Sequence, residues 1–139
     1  MDSSQTALAD PVVATFDHVS LAVTDLDPGI AWYGEKLGAR LVDRWANPEA
    51  GMEWAHLAIG DFMLELVRMP ELPVSTERRA GYHHFAITVP DCDAFVARLQ
   101  AQGVTVMRPP SDFDRHNTRW SFVRDGYGNI IEIISKRRA

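Results

Sequence analysis

A chain of 139 residues, 46% hydrophobic and 24% charged, suits one soluble globular domain and excludes disorder over most of its length. A net charge of −5 and a pI near 5.4 exclude a broad basic surface, so no nucleic-acid partner is expected. Charged residues interrupt every apolar run, so no membrane span is expected, and the single cysteine, Cys92, excludes an intrachain disulfide and suits a reducing compartment.

Residues 1–12 show neither a basic n-region nor an apolar h-region. They are expected to form a flexible extension ahead of a single domain over 13–139, in a cytoplasmic protein. The first strand follows at His18, where Val19, Leu21 and Val23 alternate with Ser20 and Ala22. The pattern then changes to a helix over about 26–37, with Asp25 as the cap, Pro28 in the first turn and Gly38 at the exit. Ile30, Tyr33 and Leu37 share one face of it. Strands are expected at about 39–44, 54–59 and 62–67, the last two joined by a tight turn at Gly60-Asp61. This first module spans 13–68, and a charged stretch with two prolines, 69–81, links it to the next.

The second module, 82–135, repeats the order. A strand over 83–89 leads into a helix over about 92–102, capped by Asp91 and closed by Gly103. Strands are expected at about 104–107, 119–124 and 130–135, with Asp125-Gly126-Tyr127-Gly128-Asn129 as the last turn. The run Lys136-Arg137-Arg138 reads as a solvated tail. Each module is βαβββ, so the expected fold is α+β with tandem βαβββ modules.

The repeat also carries chemistry. His84 follows His18 by 66 residues, and Glu132 follows Glu65 by 67. Each module therefore opens on a histidine strand and closes on a glutamate strand. Each histidine shares its strand face with small residues, Ser20 and Ala22 in one case and Ala86 and Thr88 in the other. Each glutamate interrupts an apolar strand, Glu65 between Leu64 and Leu66 and Glu132 between Ile131 and Ile133. A carboxylate in such a place faces water, meets a cation or stays protonated. His18, Glu65, His84 and Glu132 are thus the candidate ligands of one divalent ion, Ni, Co, Zn, Mn or Fe. His56, His83 and His116 are expected to be ordinary surface or core residues.

The motifs DHVSLAVTDLD, LGARL, HHFAITVPD and FVRDGYGNIIEI resemble the vicinal oxygen chelate superfamily, which includes glyoxalase I, extradiol dioxygenases and the bleomycin-resistance proteins. The resemblance spans about 16–135. It implies a metal-lined cup, usually in a homodimer, acting on a small substrate with adjacent oxygens. Its ligand positions correspond to His18, Glu65, His84 and Glu132. Glutamate at the second position is similar to bacterial glyoxalase I, which implies a lyase/isomerase with Glu65 or Glu132 as the catalytic base. Glutathione-using members carry Arg and Asn where this chain has Ala22 and Met69. Two other readings are an extradiol Fe(II) dioxygenase using His18, His84 and Glu132, and a metal-free protein that sequesters a ligand. His116 and Tyr127 are weaker candidates for proton transfer, and Trp45, Trp54, Trp120 and Phe113 for lining a substrate pocket.

Overall fold

A computed structural model describes residues 15–69, 71 and 82–137. The expected extension over 1–12 and nearly all of the expected linker lie outside the described residues. Two units of the same design follow each other: β1 (Val19–Val23), α1 (Leu26–Leu37), β2 (Arg40–Asn47), β3 (Met52–Ile59) and β4 (Phe62–Arg68), then β5 (His84–Thr88), α2 (Cys92–Ala101), β6 (Thr105–Phe113), β7 (Thr118–Arg124) and β8 (Ile130–Lys136). Each unit is a four-stranded mixed sheet, ordered β1-β4-β3-β2 and β5-β8-β7-β6. In both, the histidine strand lies parallel to the glutamate strand, because the helical crossover returns the chain in the same direction.

The alternation in the strands decides which face is buried. Leu21, Val23, Leu57, Leu64 and Leu66 turn inward with Leu26, Tyr33 and Leu37 of α1. Phe85, Val123, Ile131 and Ile133 do the same with Val96 and Leu99 of α2, and all of these belong to one continuous core. The opposite face of each sheet is left open, and the histidines and glutamates stand on it.

Local chemistry explains the helix ends unevenly. Asp91 caps α2 as expected, its side chain accepting from the Ala94 amide at 3.1 Å. Asp25 occupies the corresponding place before α1, but its side chain makes no capping bond. Gly38 ends α1 with φ 71°, a conformation glycine adopts without strain. Gly29 lies where α1 comes close to β4: a methyl group there would stand 3.3 Å from Leu66 Cδ1.

Several strands run further than the sequence pattern suggests, β6 the most and β2 by three residues, to Asn47. β6 passes through Pro109-Pro110 with irregular register on either side. It is an edge strand, so the missing amide hydrogens break no ladder on its open side. A short 3-10 turn, Asp114–His116, then leads into β7. Within the expected tail, Lys136 closes β8 and Arg137 pairs with Asp112 at 3.4 Å and with Asp114 at 2.5 Å.

The units are joined by a buried polar contact. Asp125, in the β7–β8 turn, accepts the Tyr33 hydroxyl from α1 at 2.5 Å. Its carboxylate also takes the amides of Tyr127 at 2.8 Å and Asn129 at 2.9 Å, and the Asn129 side chain at 2.9 Å. A buried carboxylate is costly unless its lone pairs are satisfied, and here they are. Burial, and then the adjacent Asp125, push the Tyr33 phenol well above its ordinary pKa, so it stays a donor. Among the described residues, no helix is long and apolar enough to cross a membrane.

Candidate metal centre

The four expected ligands fall into two pairs, one on each open face. In the first, His18 Nε2 lies 3.7 Å from Glu65 Oε1. In the second, His84 Nε2 lies 3.5 Å from Glu132 Oε2. Two atoms each about 2.1 Å from a shared ion stand roughly 3.0–3.4 Å apart for ligand angles between octahedral and tetrahedral. Both pairs are slightly wider than that. One imidazole nitrogen and one carboxylate per pair also suit a borderline divalent ion.

The second ring nitrogen of each histidine is engaged in the same way. His18 Nδ1 is bonded to Asp17 at 2.6 Å, and His84 Nδ1 to His83 Nδ1 at 2.8 Å. Each ring thereby turns Nε2 toward its glutamate, the orientation that outer partners impose on metal-binding histidines. The Asp17 hydrogen bond raises the His18 pKa; partial burial opposes it, and Glu65 adds to the rise.

The chain does not bring all four ligands to one point. Among the described residues, the one set of three or more such groups with ligand atoms within 4.8 Å of one another is His18, His56 and Glu65. The sequence leaves open whether the four ligands meet within one chain or across two, and one chain alone brings them together only as two pairs. Its packing explains why. The contacts between units include Tyr33–Asp125 and Tyr127–Asp25 at α1 and the β7–β8 turn, Arg98 on the Lys36 carbonyl, and the stack of Phe62 on Phe85, and these join the core sides of the two units.

The two glutamates differ in their surroundings. Glu65 Oε1 accepts from Ser20 Oγ at 2.9 Å, and Oε2 is bonded to His56 Nε2 at 2.8 Å. Its side chain is 14% exposed. Burial alone would raise its pKa, but the bonds from His56 and Ser20, with His18 nearby, hold the carboxyl below the ordinary range. Glu132, 20% exposed, makes no hydrogen bond among the described residues; His84 Nε2 lies 3.5 Å from its Oε2. Its cross-strand partners are Ala86 and Phe122, where those of Glu65 are Ser20 and His56.

His56 is the residue that sequence reasoning placed among ordinary histidines. The signal was present: a two-residue turn at Gly60-Asp61 pairs Ile59 with Phe62, and counting back pairs His56 with Glu65. Trp45 meets the His56 ring edge-on at 4.8 Å and stacks on Trp54 at 5.9 Å. Beside Glu132 a cavity of about 370 Å³ is walled by Phe113, His116, Thr118, Trp120, Phe122 and Ile134. Trp120, Phe113 and His116 thus line a pocket next to a candidate catalytic group. Tyr127 does not: its hydroxyl turns to the Asp25 carbonyl at 3.4 Å, at the junction of the units. A second cavity, about 420 Å³, lies among ion pairs that Arg119 makes with Asp93 and Asp112.

Residues 15–133 match the sequence model of the Glyoxalase/Bleomycin resistance protein/Dioxygenase superfamily. A probable lactoylglutathione lyase of Vibrio cholerae is 32% identical over 126 residues, which cover 88% of this chain and 91% of that protein. The solved glyoxalase I of Zea mays superposes with a TM-score of 0.74 at 25% identity, over 88% of this chain and 44% of the maize one. The trypanothione-dependent glyoxalase I of Leishmania major gives 0.70 at 28% identity, over 86% and 84%.

Proposed function

The chain belongs to the Glyoxalase/Bleomycin resistance protein/Dioxygenase superfamily, and from that premise we propose that it is a divalent-metal-dependent lyase/isomerase of the glyoxalase I kind. The observation that carries this reading is the repeated half-site: on each open face a histidine Nε2 faces a glutamate oxygen at near-ligand spacing, with the other ring nitrogen already bonded. Similarity to proteins named lactoylglutathione lyase supports the same reaction class.

Each face supplies half of a ligand set, so the complete centre is built by a homodimer. His18 and Glu65 of one protomer meet the partner's His84 and Glu132. Apolar side chains left exposed on the chain, Trp45 and Phe113 among them, would gain cover on pairing. A bound divalent ion supplies Lewis-acid polarisation of a substrate carbonyl, which eases loss of the adjacent proton. The protein's residues do the rest. Glu65, held by two hydrogen bonds, stays in place as a ligand. Glu132, which accepts none, is the carboxylate free to swing toward the substrate and act as base. It takes the proton from the carbon beside the carbonyl and returns it to the neighbouring carbon, so a 2-oxoaldehyde–thiol adduct becomes a 2-hydroxy thioester with no atom gained or lost. The aromatic cavity beside Glu132 holds the side chain of the oxoaldehyde and limits the access of water to it.

Glu65 also separates this reading from the ring-cleaving one. An iron triad of His18, His84 and Glu132 would leave Glu65 without a role on the open face, yet its Oε1 stands 3.7 Å from His18 Nε2. The test is elemental analysis and light scattering of wild type and His84→Ala. A wild-type dimer with about one divalent ion per chain, lost in the variant, is the expected result. A wild-type monomer, or equal metal in both proteins, would refute it.

A further inference from the structure

We infer that His56, with Ser20, is a positioning residue that locks Glu65 so that only Oε1 faces the metal. The inference rests on the reading of Glu65 as a ligand and adds a role for a histidine outside the ligand set. The hairpin register places His56 directly across from Glu65, and the parallel pairing places Ser20 on its other side. Each carboxylate oxygen therefore has one hydrogen-bond partner: Oε2 has His56 Nε2 at 2.8 Å, and Oε1 has Ser20 Oγ at 2.9 Å. Rotating the carboxylate breaks both bonds.

The distances distinguish a positioning histidine from a third ligand. His56, His18 and Glu65 are close enough together to hold an ion. But 2.8 Å between His56 Nε2 and Glu65 Oε2 is a hydrogen-bond length, shorter than the roughly 3.0–3.4 Å between two atoms bound to one ion. The 3.7 Å from His18 Nε2 to Oε1 is too long for a hydrogen bond. So His56 fixes one oxygen and leaves the other to share an ion with His18. The ring is itself held, since Trp45 meets it edge-on and stacks on Trp54.

The second unit is an internal control. At the same register positions Glu132 has Phe122 where Glu65 has His56, and Ala86 where it has Ser20. The duplicated units have thus diverged at the two side chains that grip the carboxylate. One glutamate is clamped on both oxygens and its twin has no such clamp, only His84 at 3.5 Å, which gives a symmetric pair of half-sites two different jobs.

The test compares His56→Phe, which copies the second unit, with His56→Gln, which keeps a side-chain donor. Chelator competition on the Co(II)-loaded protein reads metal affinity, and the visible Co(II) spectrum reads the geometry around the ion. His56→Phe is expected to weaken Co(II) binding by roughly 10- to 100-fold, the range for lost outer partners, and to shift the spectrum. His56→Gln should recover affinity to within a few-fold and restore the spectrum. Unchanged affinity and spectrum in His56→Phe overturn the inference. So does a His56→Gln protein as impaired as His56→Phe, with a spectrum showing one imidazole fewer on the metal, because His56 would then be a ligand. Nitrogen-15 spectra of the metal-free protein keep this separate from the wider reading. The His56 Nε2 resonance should move in Glu65→Gln, and an unmoved resonance overturns the clamp. A wild type that binds no Co(II) refutes the metal enzyme, while the resonance still decides the clamp.

Discussion

Changing each glutamate to glutamine separates the two half-sites. In Glu132→Gln the new side chain keeps the size and shape of the old one. No hydrogen bond among the described residues is lost, since Ala86 and Phe122 are the cross-strand neighbours. Only the 3.5 Å approach to His84 is altered, so stability should stay within about 1 kcal/mol of wild type, the upper scale for a partly exposed pair. The change removes the proton acceptor, which is worth about 10²- to 10⁴-fold in turnover. That corresponds to roughly 3–5.5 kcal/mol of barrier. Glu65→Gln makes the opposite trade. Its carboxylate takes two hydrogen bonds, and replacing a charged acceptor by a neutral one costs about 1 kcal/mol. Metal binding weakens as well, because a charged ligand has become neutral. Turnover of Glu65→Gln should then fall at limiting metal and recover partly when metal is in excess, whereas that of Glu132→Gln should not recover at any metal concentration. The assay is the ultraviolet absorbance of the thioester formed from a 2-oxoaldehyde–thiol adduct, run as a metal titration beside thermal unfolding. A Glu132→Gln enzyme within tenfold of wild type, or two variants with the same metal response, would refute the division of roles.

Removing the hydroxyl that joins the two units, in Tyr33→Phe, should cost about 1.5–3 kcal/mol, the scale for a hydrogen bond to a charged group, measured by urea unfolding. The pH dependence follows from the phenol's raised pKa. The folded state holds the Tyr33 proton more tightly than the unfolded chain does, so this stabilisation is complete below the ordinary value of 10.0 and is lost as pH climbs above it toward the folded value; Tyr33→Phe should flatten that alkaline decline. If, as the resemblance implies, Ala22 and Met69 replace the Arg and Asn of glutathione-using members, KM should differ by less than about tenfold, roughly 1.4 kcal/mol, between adducts of glutathione and of smaller thiols. Steady-state kinetics on matched adducts measures this, and a strong preference for glutathione would show that other residues bind it.

Much of the fold was legible because period and turn chemistry agree. The helix over 26–37 matches the observed bounds, and the alternation of Val19, Leu21 and Val23 against Ser20 and Ala22 reports the burial of β1. β6 was underestimated because Pro109-Pro110 argues against a strand, and only the sheet order reveals that it lies at an edge. Asp125 was legible as a turn residue but not as the acceptor for Tyr33, 92 residues away in sequence. That contact depends on how the two units pack, which no local pattern encodes. The ligand candidates were legible for the opposite reason. A repeat that returns a histidine and a glutamate to equivalent positions reports a shared geometry without any knowledge of packing.

The same repeat concealed the difference between its halves. Reading by similarity favours what the units share, and so makes Glu65 and Glu132 equivalent. The roles proposed for them rest on the neighbours that differ, Ser20 against Ala86 and His56 against Phe122. An acid/base reaction at one carbon needs a carboxylate that can approach the substrate, and a metal site needs ligands that hold still. Two identical carboxylate environments would compromise between these demands. A duplicated module removes the compromise, because a polar clamp on one copy and an apolar niche on the other leave the strand geometry unchanged while giving each glutamate a different freedom of movement.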